Sequence, residues 1–93
     1  MMSVQVLTGE RVERRMAHLL LKMADRCGRP EAGGVLITLS LSRQDLADMA
    51  GTTLETAIRT MSRFRAHGWV ETHRGGYLFL ADLEKLREQA QPS

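Results

Sequence analysis

The sequence is short of several residue types, and each shortage excludes a class of protein. Cys27 is the one cysteine among 93 residues, so an internal disulfide cannot form and a disulfide-stapled secreted domain is excluded. The cysteine and the three histidines show none of the tight spacings that structural zinc sites use. We therefore expect no metal or other cofactor in this chain, and a reducing, cytoplasmic setting.

Long hydrophobic runs are also missing. No apolar stretch approaches the roughly 20 residues that span a bilayer, and residues 1–6 lack the basic and apolar regions of a secretory signal. Hydrophobic residues nevertheless make up 43% of the chain, which is too many for a disordered one. The sequence predicts one small globular domain with no membrane partner, and a core too modest for a large cleft enzyme.

Lysine is scarce as well, because eleven of the thirteen basic residues are arginine and only Lys22 and Lys85 are lysine. Arginine suits bidentate contacts with phosphate and guanine, but a GC-rich genome produces the same bias. The net charge of +2 permits a nucleic-acid partner without requiring one. Only the placement of the charges can separate these alternatives.

Apolar residues at helical spacing predict a first helix from about Thr8 to Cys27, with Thr8 as its N-cap. Gly28 and Pro30 end it, since glycine tolerates a left-handed cap and proline cannot continue a helix. A glycine-containing loop then leads to an apolar, β-branched strand at residues 35–39.

Two short helices follow, joined by a glycine turn. Ser40 or Ser42 caps the first, which Gly51 interrupts, and Thr53 caps the second, which runs to about His67. This arrangement is typical of a helix-turn-helix.

A hairpin and a last helix complete the chain. Strands are predicted at 69–73 and 77–80 around a turn at 74–76, and Asp82 caps a helix over 83–90. The predicted fold class is mostly α (α+β): a winged helix-turn-helix in the order helix, strand, helix, turn, helix, β-hairpin wing and short C-terminal helix.

Ten residues between positions 42 and 59 match the motif of a known family in register. They are Ser42, Arg43, Asp45, Leu46, Ala47, Gly51, Thr53, Glu55, Thr56 and Arg59. Through them the chain resembles the DNA-binding domain of Crp/Fnr-family transcription regulators. The resemblance extends upstream over residues 11–21 and downstream through residues 68–70 into the wing, and so covers nearly the whole chain.

The resemblance implies sequence-specific binding of double-stranded DNA in a bacterial regulator, with the helix from Thr53 to His67 in the major groove. The family reads bases with its matching Glu and Arg, which makes Glu55 and Arg59 base-reading candidates. Arginine can donate two hydrogen bonds to guanine, and glutamate can accept one from the cytosine amino group. The alternative is that Glu55 and Arg59 form an ordinary i,i+4 surface pair.

Leu54 and Ile58 depart from the family pattern. Leu54 stands where the cyclic-AMP-responsive branch carries a second base-reading arginine, and Ile58 stands where small residues are frequent. Both lie one turn apart on the border between the core and the groove face. We expect them to pack on thymine methyl groups; the alternative is that they extend the core.

The charges are distributed unevenly. Residues 56–80 hold four arginines against Glu71 alone, a net +3, whereas residues 35–55 hold one arginine against three acidic residues, a net −2. The basic excess gathers where phosphate contacts would position the domain on DNA. Arg65, near the helix end, is expected to complement the helix dipole. The candidate phosphate-contacting residues are Ser42, Arg43, Gln44, Thr53, Ser62, Arg63, His73 and Arg74.

Family members ordinarily place a sensory barrel and a dimerisation helix before this domain. The resemblance therefore implies that residues 1–8 are the remnant of that helix and its hinge, that residues 9–93 are the winged helix, and that the effector is unknown. It also implies a palindromic operator, RNA polymerase as a further candidate partner, and a homodimer in the full-length protein, with the isolated domain monomeric.

Two rival functions come from other classes. One is a winged-helix module that binds another protein without touching DNA, against which the presence of Glu55 and Arg59 in register argues. The other is an enzyme. We do not expect one, because no Ser/His/Asp set or carboxylate pair is suitably placed and the glycine pairs lack phosphate-loop spacing.

Overall fold

The computed structural model describes residues 4–92, with side chains over 11–92. It contains four helices and four strands in the described residues, in the predicted winged helix-turn-helix order with one additional strand. The elements are α1 (Val4–Cys27), β1 (Gly28–Glu31), β2 (Gly34–Ile37), α2 (Arg43–Ala50), α3 (Leu54–Ala66), β3 (Val70–Thr72), β4 (Leu78–Leu80) and α4 (Leu83–Ala90). A 3-10 turn at Arg74–Gly76 joins β3 to β4, and these two strands with their turn are the wing.

The first helix is longer than predicted. It begins at Val4, so Thr8 lies inside α1 and the prediction that Thr8 is its N-cap is wrong. A threonine is compatible with either position because intrinsic helix propensities are weak. The side chain of Thr8 lies outside the described residues. The helix crosses residue 8 without a break, and the division of the chain into 1–8 and 9–93 stays a prediction.

Strand β1 replaces the predicted loop. It pairs antiparallel with β2, with Gly28 opposite Ile37 and Pro30 opposite Val35. The strand order β1-β2-β4-β3 puts β1 at an edge of the sheet, where a proline without an N–H is tolerated. The backbone of Gly28 does not adopt the left-handed conformation, so the prediction of a left-handed glycine cap at the end of α1 is wrong. Glycine is needed there because a Cβ would overlap the carbonyl oxygen of Ala24, where the chain turns out of α1.

The remaining strands are short and antiparallel. β4 pairs with β2 on one side and with β3 on the other, so the wing is continuous with the rest of the sheet. β2 ends at Ile37 rather than at residue 39, and Leu39 is exposed in the loop that follows. The sheet therefore connects the end of α1 to the wing beside the two helices of the turn motif.

The caps of the helix-turn-helix agree with their local sequence. Ser42, not Ser40, caps α2: its hydroxyl accepts the N–H of Asp45, while the Asp45 carboxylate accepts the N–H of Ser42. The backbone N–H of Ser42 and, to a smaller extent, its hydroxyl group stabilise the charged Asp45 carboxylate and so lower the pKa of Asp45. Gly51 ends α2 in the left-handed conformation at φ 67° and ψ 42°. Thr53 caps α3 by accepting the N–H of Thr56.

The core lies where α1, the two short helices, the sheet and α4 meet. The inward side of α3 is a stripe of three apolar residues at helical spacing, Ala57, Met61 and Phe64, which are all buried. They pack in one cluster with Met16 and Leu20 of α1 and with residues of the sheet. This packing fixes one side of α3 against the domain and leaves its opposite side to solvent.

Candidate nucleic-acid interface

The solvent side of α3 is polar. Opposite its buried stripe, the helix exposes Glu55, Arg59 and Ser62. These positions recur at three- and four-residue intervals, so their side chains form one face of the helix. A helix that is held by its apolar side and exposes a polar one has the shape and chemistry that the DNA major groove admits.

Glu55 and Arg59 form an ion pair on this face. The Arg59 Nη2 lies 2.9 Å from the Glu55 Oε1, and the two side chains are 67% and 83% exposed, respectively. The surface pair considered as an alternative is therefore present in the structure. An exposed i,i+4 pair stabilises a helix by only about 0.2–0.5 kcal/mol. Separating the two side chains therefore costs little free energy, and the ion pair is compatible with base reading by Glu55 and Arg59. Base reading by these two residues stays a prediction.

Leu54 and Ile58 lie on the flank of the same face. They are 42% and 45% exposed, which is high for large apolar side chains one helical turn apart. The alternative that they extend the core is wrong, because neither belongs to the buried cluster. The structure thus leaves two apolar side chains in solvent beside the polar face, and their contact with thymine stays a prediction.

The start of α2 carries three of the predicted phosphate contacts, and each already has an internal partner. The Ser42 hydroxyl accepts the Asp45 N–H, and the Gln44 Nε2 donates to Asp48 Oδ1 over 2.9 Å. The Arg43 guanidinium reaches the wing, where its Nη2 donates to Thr72 Oγ1 over 3.2 Å. Arg43 thereby connects the turn motif to β3.

Along α3, the predicted phosphate contacts point to different sides. The Thr53 hydroxyl donates to Thr56 Oγ1 over 3.0 Å in addition to its capping bond, so its hydrogen is already used. The Arg63 Nη1 lies 2.7 Å from the Oε1 of Glu13, which ties this arginine to α1. Ser62 is exposed on the side of the wing.

The wing presents the last two predicted residues. His73 Nε2 lies 3.0 Å from Glu71 Oε1, and its ring stacks on Phe79 with centroids 5.0 Å apart. Arg74 is exposed in the turn and takes part in none of the salt bridges found among residues 11–92. The turn itself is held by Ser40, whose hydroxyl donates to the Gly75 carbonyl over 2.8 Å.

Sequence reasoning assigned Arg65 only to the helix dipole and did not include it among the candidate site residues. This residue lines an open groove of about 620 Å³ between the second half of α3 and β3, which we call the wing cleft. Burial lowers the pKa of Arg43, and the charge of Arg65 lowers it further, so the two guanidinium groups are close enough to repel. The sequence spacing could have predicted this position, because residues 58, 62 and 65 follow one another on the same side of a helix. The cleft is lined by Ser62, Arg65, Ala66, Val70, Glu71 and Thr72.

The described residues contain neither a metal-binding cluster nor a membrane-spanning helix. No group of three His, Cys, Asp or Glu side chains there could hold a metal ion. No described helix is both long enough and apolar enough to cross a membrane. Cys27 is half-buried at the end of α1.

Comparison with known proteins gives one consistent family. A family model described as a Crp-like helix-turn-helix domain matches residues 14–89. The chain is 36% identical over 76 residues to the nitrogen fixation regulation protein FixK of Azorhizobium caulinodans, covering 81% of this chain and 31% of that protein. It is 30% identical over 77 residues to the CRP-like cAMP-activated global transcriptional regulator of Mycobacterium tuberculosis, covering 83% of this chain and 34% of that protein.

A solved structure agrees with these matches. The CO-dependent transcription factor CooA of Carboxydothermus hydrogenoformans superposes with a TM-score of 0.79 at 30% identity, covering 85% of this chain and 36% of that one. The chain thus spans about a third of the length of the relatives it matches.

Proposed function

The chain belongs to the family of Crp-like helix-turn-helix domains, and from this membership we propose that it reads double-stranded DNA for a bacterial transcription regulator, with α3 in the major groove. The observation that carries the proposal is the solvent face of α3. Glu55 and Arg59 protrude there, while the opposite stripe of the helix is anchored in the core. The groove admits a helix of this kind and offers base-edge donors and acceptors to its side chains.

Base reading is assigned to one face and one flank of α3. Arg59 donates to the O6 and N7 of a guanine, and Glu55 accepts from a cytosine amino group. Their exposed ion pair supports this role, because both charges are already solvated at the surface and can exchange partners at small cost. Leu54 and Ile58, exposed on the flank, contact the methyl groups of thymines.

Phosphate contacts surround this reading face. Ser62 and Arg74 are exposed and require no rearrangement to meet a phosphate. Gln44 and Arg63 must first leave Asp48 and Glu13, and the hydroxyl hydrogen of Thr53 must turn from Thr56. The other proposed phosphate contacts are Ser42, Arg43 and His73.

Further proposals concern the regulator as a whole. The relatives are regulators about three times as long as this chain. Helix-turn-helix regulators generally bind as two-fold dimers, so the full-length regulator is proposed to be a homodimer on a palindromic operator with half-sites spaced by helical turns of DNA. RNA polymerase is a further proposed partner, and the cytoplasm is the proposed compartment because DNA is the ligand. Residues 1–8 are proposed as the end of a dimerisation helix and its hinge.

Selection from a randomised duplex pool tests the function. The folded chain should enrich one half-site sequence, and its affinity should fall steeply as salt rises, because phosphate binding releases counterions. A winged-helix module that binds only proteins would enrich no sequence and would fail to bind duplex even at low salt. That result, from a chain shown by circular dichroism to be folded, would refute the proposal.

A further inference from the structure

Two arginines from separate helices meet beside the wing cleft. Arg43 starts α2 and donates to Thr72 on β3, and Arg65 lies near the end of α3 and lines the cleft together with Thr72. The guanidinium of Arg65 therefore lies on the α3 wall of the cleft. The guanidinium of Arg43 is hydrogen-bonded to Thr72 on the opposite wall, which β3 forms. The hydroxyl groups of Ser62 and Thr72 lie on the same two walls.

Neither arginine of this pair forms a salt bridge in the described residues. The other two arginines of α3 each bind a carboxylate, Arg59 that of Glu55 and Arg63 that of Glu13. Glu71 also lines the cleft, but one of its carboxylate oxygens is 3.0 Å from the His73 ring. Two positive side chains, Arg43 and Arg65, therefore flank the cleft, and its one negative side chain, Glu71, already contacts His73.

We propose that Arg43 and Arg65 together bind a single phosphodiester of the DNA backbone in the wing cleft. Two guanidinium groups that repel one another in the free protein both attract an anion placed between them. Arg43 is partly buried, and this burial lowers its pKa. Water therefore screens its attraction to an anion less than it does at a fully exposed arginine.

A phosphate fits this cleft better than a base edge does. The cleft lies on the side of α3 that faces the wing, at the helix end, whereas Glu55 and Arg59 project from the exposed face of the first two turns. With the N-terminal turns of α3 contacting base edges, its last turn lies nearer the edge of the groove, where the strand backbone runs. The negative end of the α3 dipole would repel a phosphate, and Arg65 supplies the charge that overcomes this repulsion.

The test rests on the proposed function and uses the half-site that the duplex selection yields. Each backbone phosphate of that half-site is replaced in turn by a neutral methylphosphonate, and affinity is measured for the wild type, Arg43→Gln and Arg65→Gln. One position should weaken wild-type binding about tenfold, the scale of one charge-assisted hydrogen bond. At that same position both variants should lose much less than the wild type does, because each has already lost one of the two guanidinium groups that bind the phosphate.

The control is Arg29→Gln, which removes the same charge from β1 at the opposite edge of the sheet. It should remain as sensitive as the wild type to every methylphosphonate. The base preference of Arg65→Gln should be unchanged, and its affinity should fall about threefold less than that of the wild type between about 50 and 200 mM salt.

Two results would overturn the assignment while leaving DNA binding intact. In one, Arg65→Gln is as sensitive as the wild type at every position. In the other, the two variants map to different phosphates. Absence of duplex binding by the wild type would instead refute the proposed function itself.

Discussion

The Nε of Arg15, on α1, donates a 2.8 Å hydrogen bond to the carbonyl oxygen of Ala50, the last residue of α2. The Nη2 of the same side chain lies 3.4 Å from the carbonyl of Gly51. The final carbonyls of a helix have no partner within it, and a cation there also complements the helix dipole. Arg15 therefore holds the turn between α2 and α3 against the first helix.

Arg15→Ala should lower the free energy of unfolding by about 1 kcal/mol, the typical net value of one such hydrogen bond. In a domain of this size the melting temperature should fall by roughly 4–8 °C. Thermal unfolding followed by circular dichroism measures the change. Arg11→Ala, an exposed arginine on the same helix, is the matched control and should shift the melting temperature little. Equal shifts in the two variants would show that the contact to Ala50 contributes nothing.

Arg59→Ala should relax the preference at one base pair of the selected half-site, at a loss of about 1–3 kcal/mol against the best sequence. Affinity for duplexes already mismatched at that base pair should change little. Arg74→Ala, in the turn of the wing, should weaken all duplexes alike and reduce the salt slope by about one. Repeating the selection with each variant distinguishes the two effects. An unchanged preference in Arg59→Ala would remove this residue from base reading.

Ile58 should contact a thymine methyl group. Replacing single thymines of the half-site by deoxyuridine deletes that methyl and keeps every hydrogen bond, so wild-type affinity should fall about fourfold at the contacted position, as expected for about 0.8 kcal/mol per buried carbon. Ile58→Ala should bind the two duplexes equally. Leu54→Ala serves as the companion variant and should lose sensitivity at a neighbouring thymine. If deoxyuridine has no effect on the wild type at any position, the apolar flank does not read methyl groups.

Asp45 should make the stability of the helix-turn-helix depend on acidity. Its pKa is lowered in the folded chain, so its contribution is complete above the ordinary carboxyl range near pH 4 and is lost as pH falls through the lowered value. The melting temperature of Asp45→Asn should therefore lie below that of the wild type at pH 7, and the gap should close in acid. Asp48→Asn, on the same helix, is the control. A gap that stays constant from neutral pH to about pH 2 would contradict this.

The local sequence was sufficient to predict the two helices of the turn motif. Ser42 and Thr53 accept N–H groups three residues ahead, and Gly51 adopts the left-handed backbone that its missing Cβ permits. These interactions involve neighbours in the chain, so the residue types alone indicate them. The apolar stripe of α3 is readable for the same reason, because helical periodicity determines which side is buried.

Tertiary structure decided the contacts between distant segments. The segment after Gly28 was predicted as a loop but forms β1, because its place at the edge of the sheet tolerates Pro30. Arg63 and Arg65 are two residues apart on α3, yet one binds Glu13 on α1 and the other lies beside Arg43. Periodicity places each arginine on a side of its helix, but the element packed against that side depends on how the helices and the sheet come together. The sequence by itself therefore determined the motif and the exposed polar face of α3, and the packing decided which charges are paired and which are not.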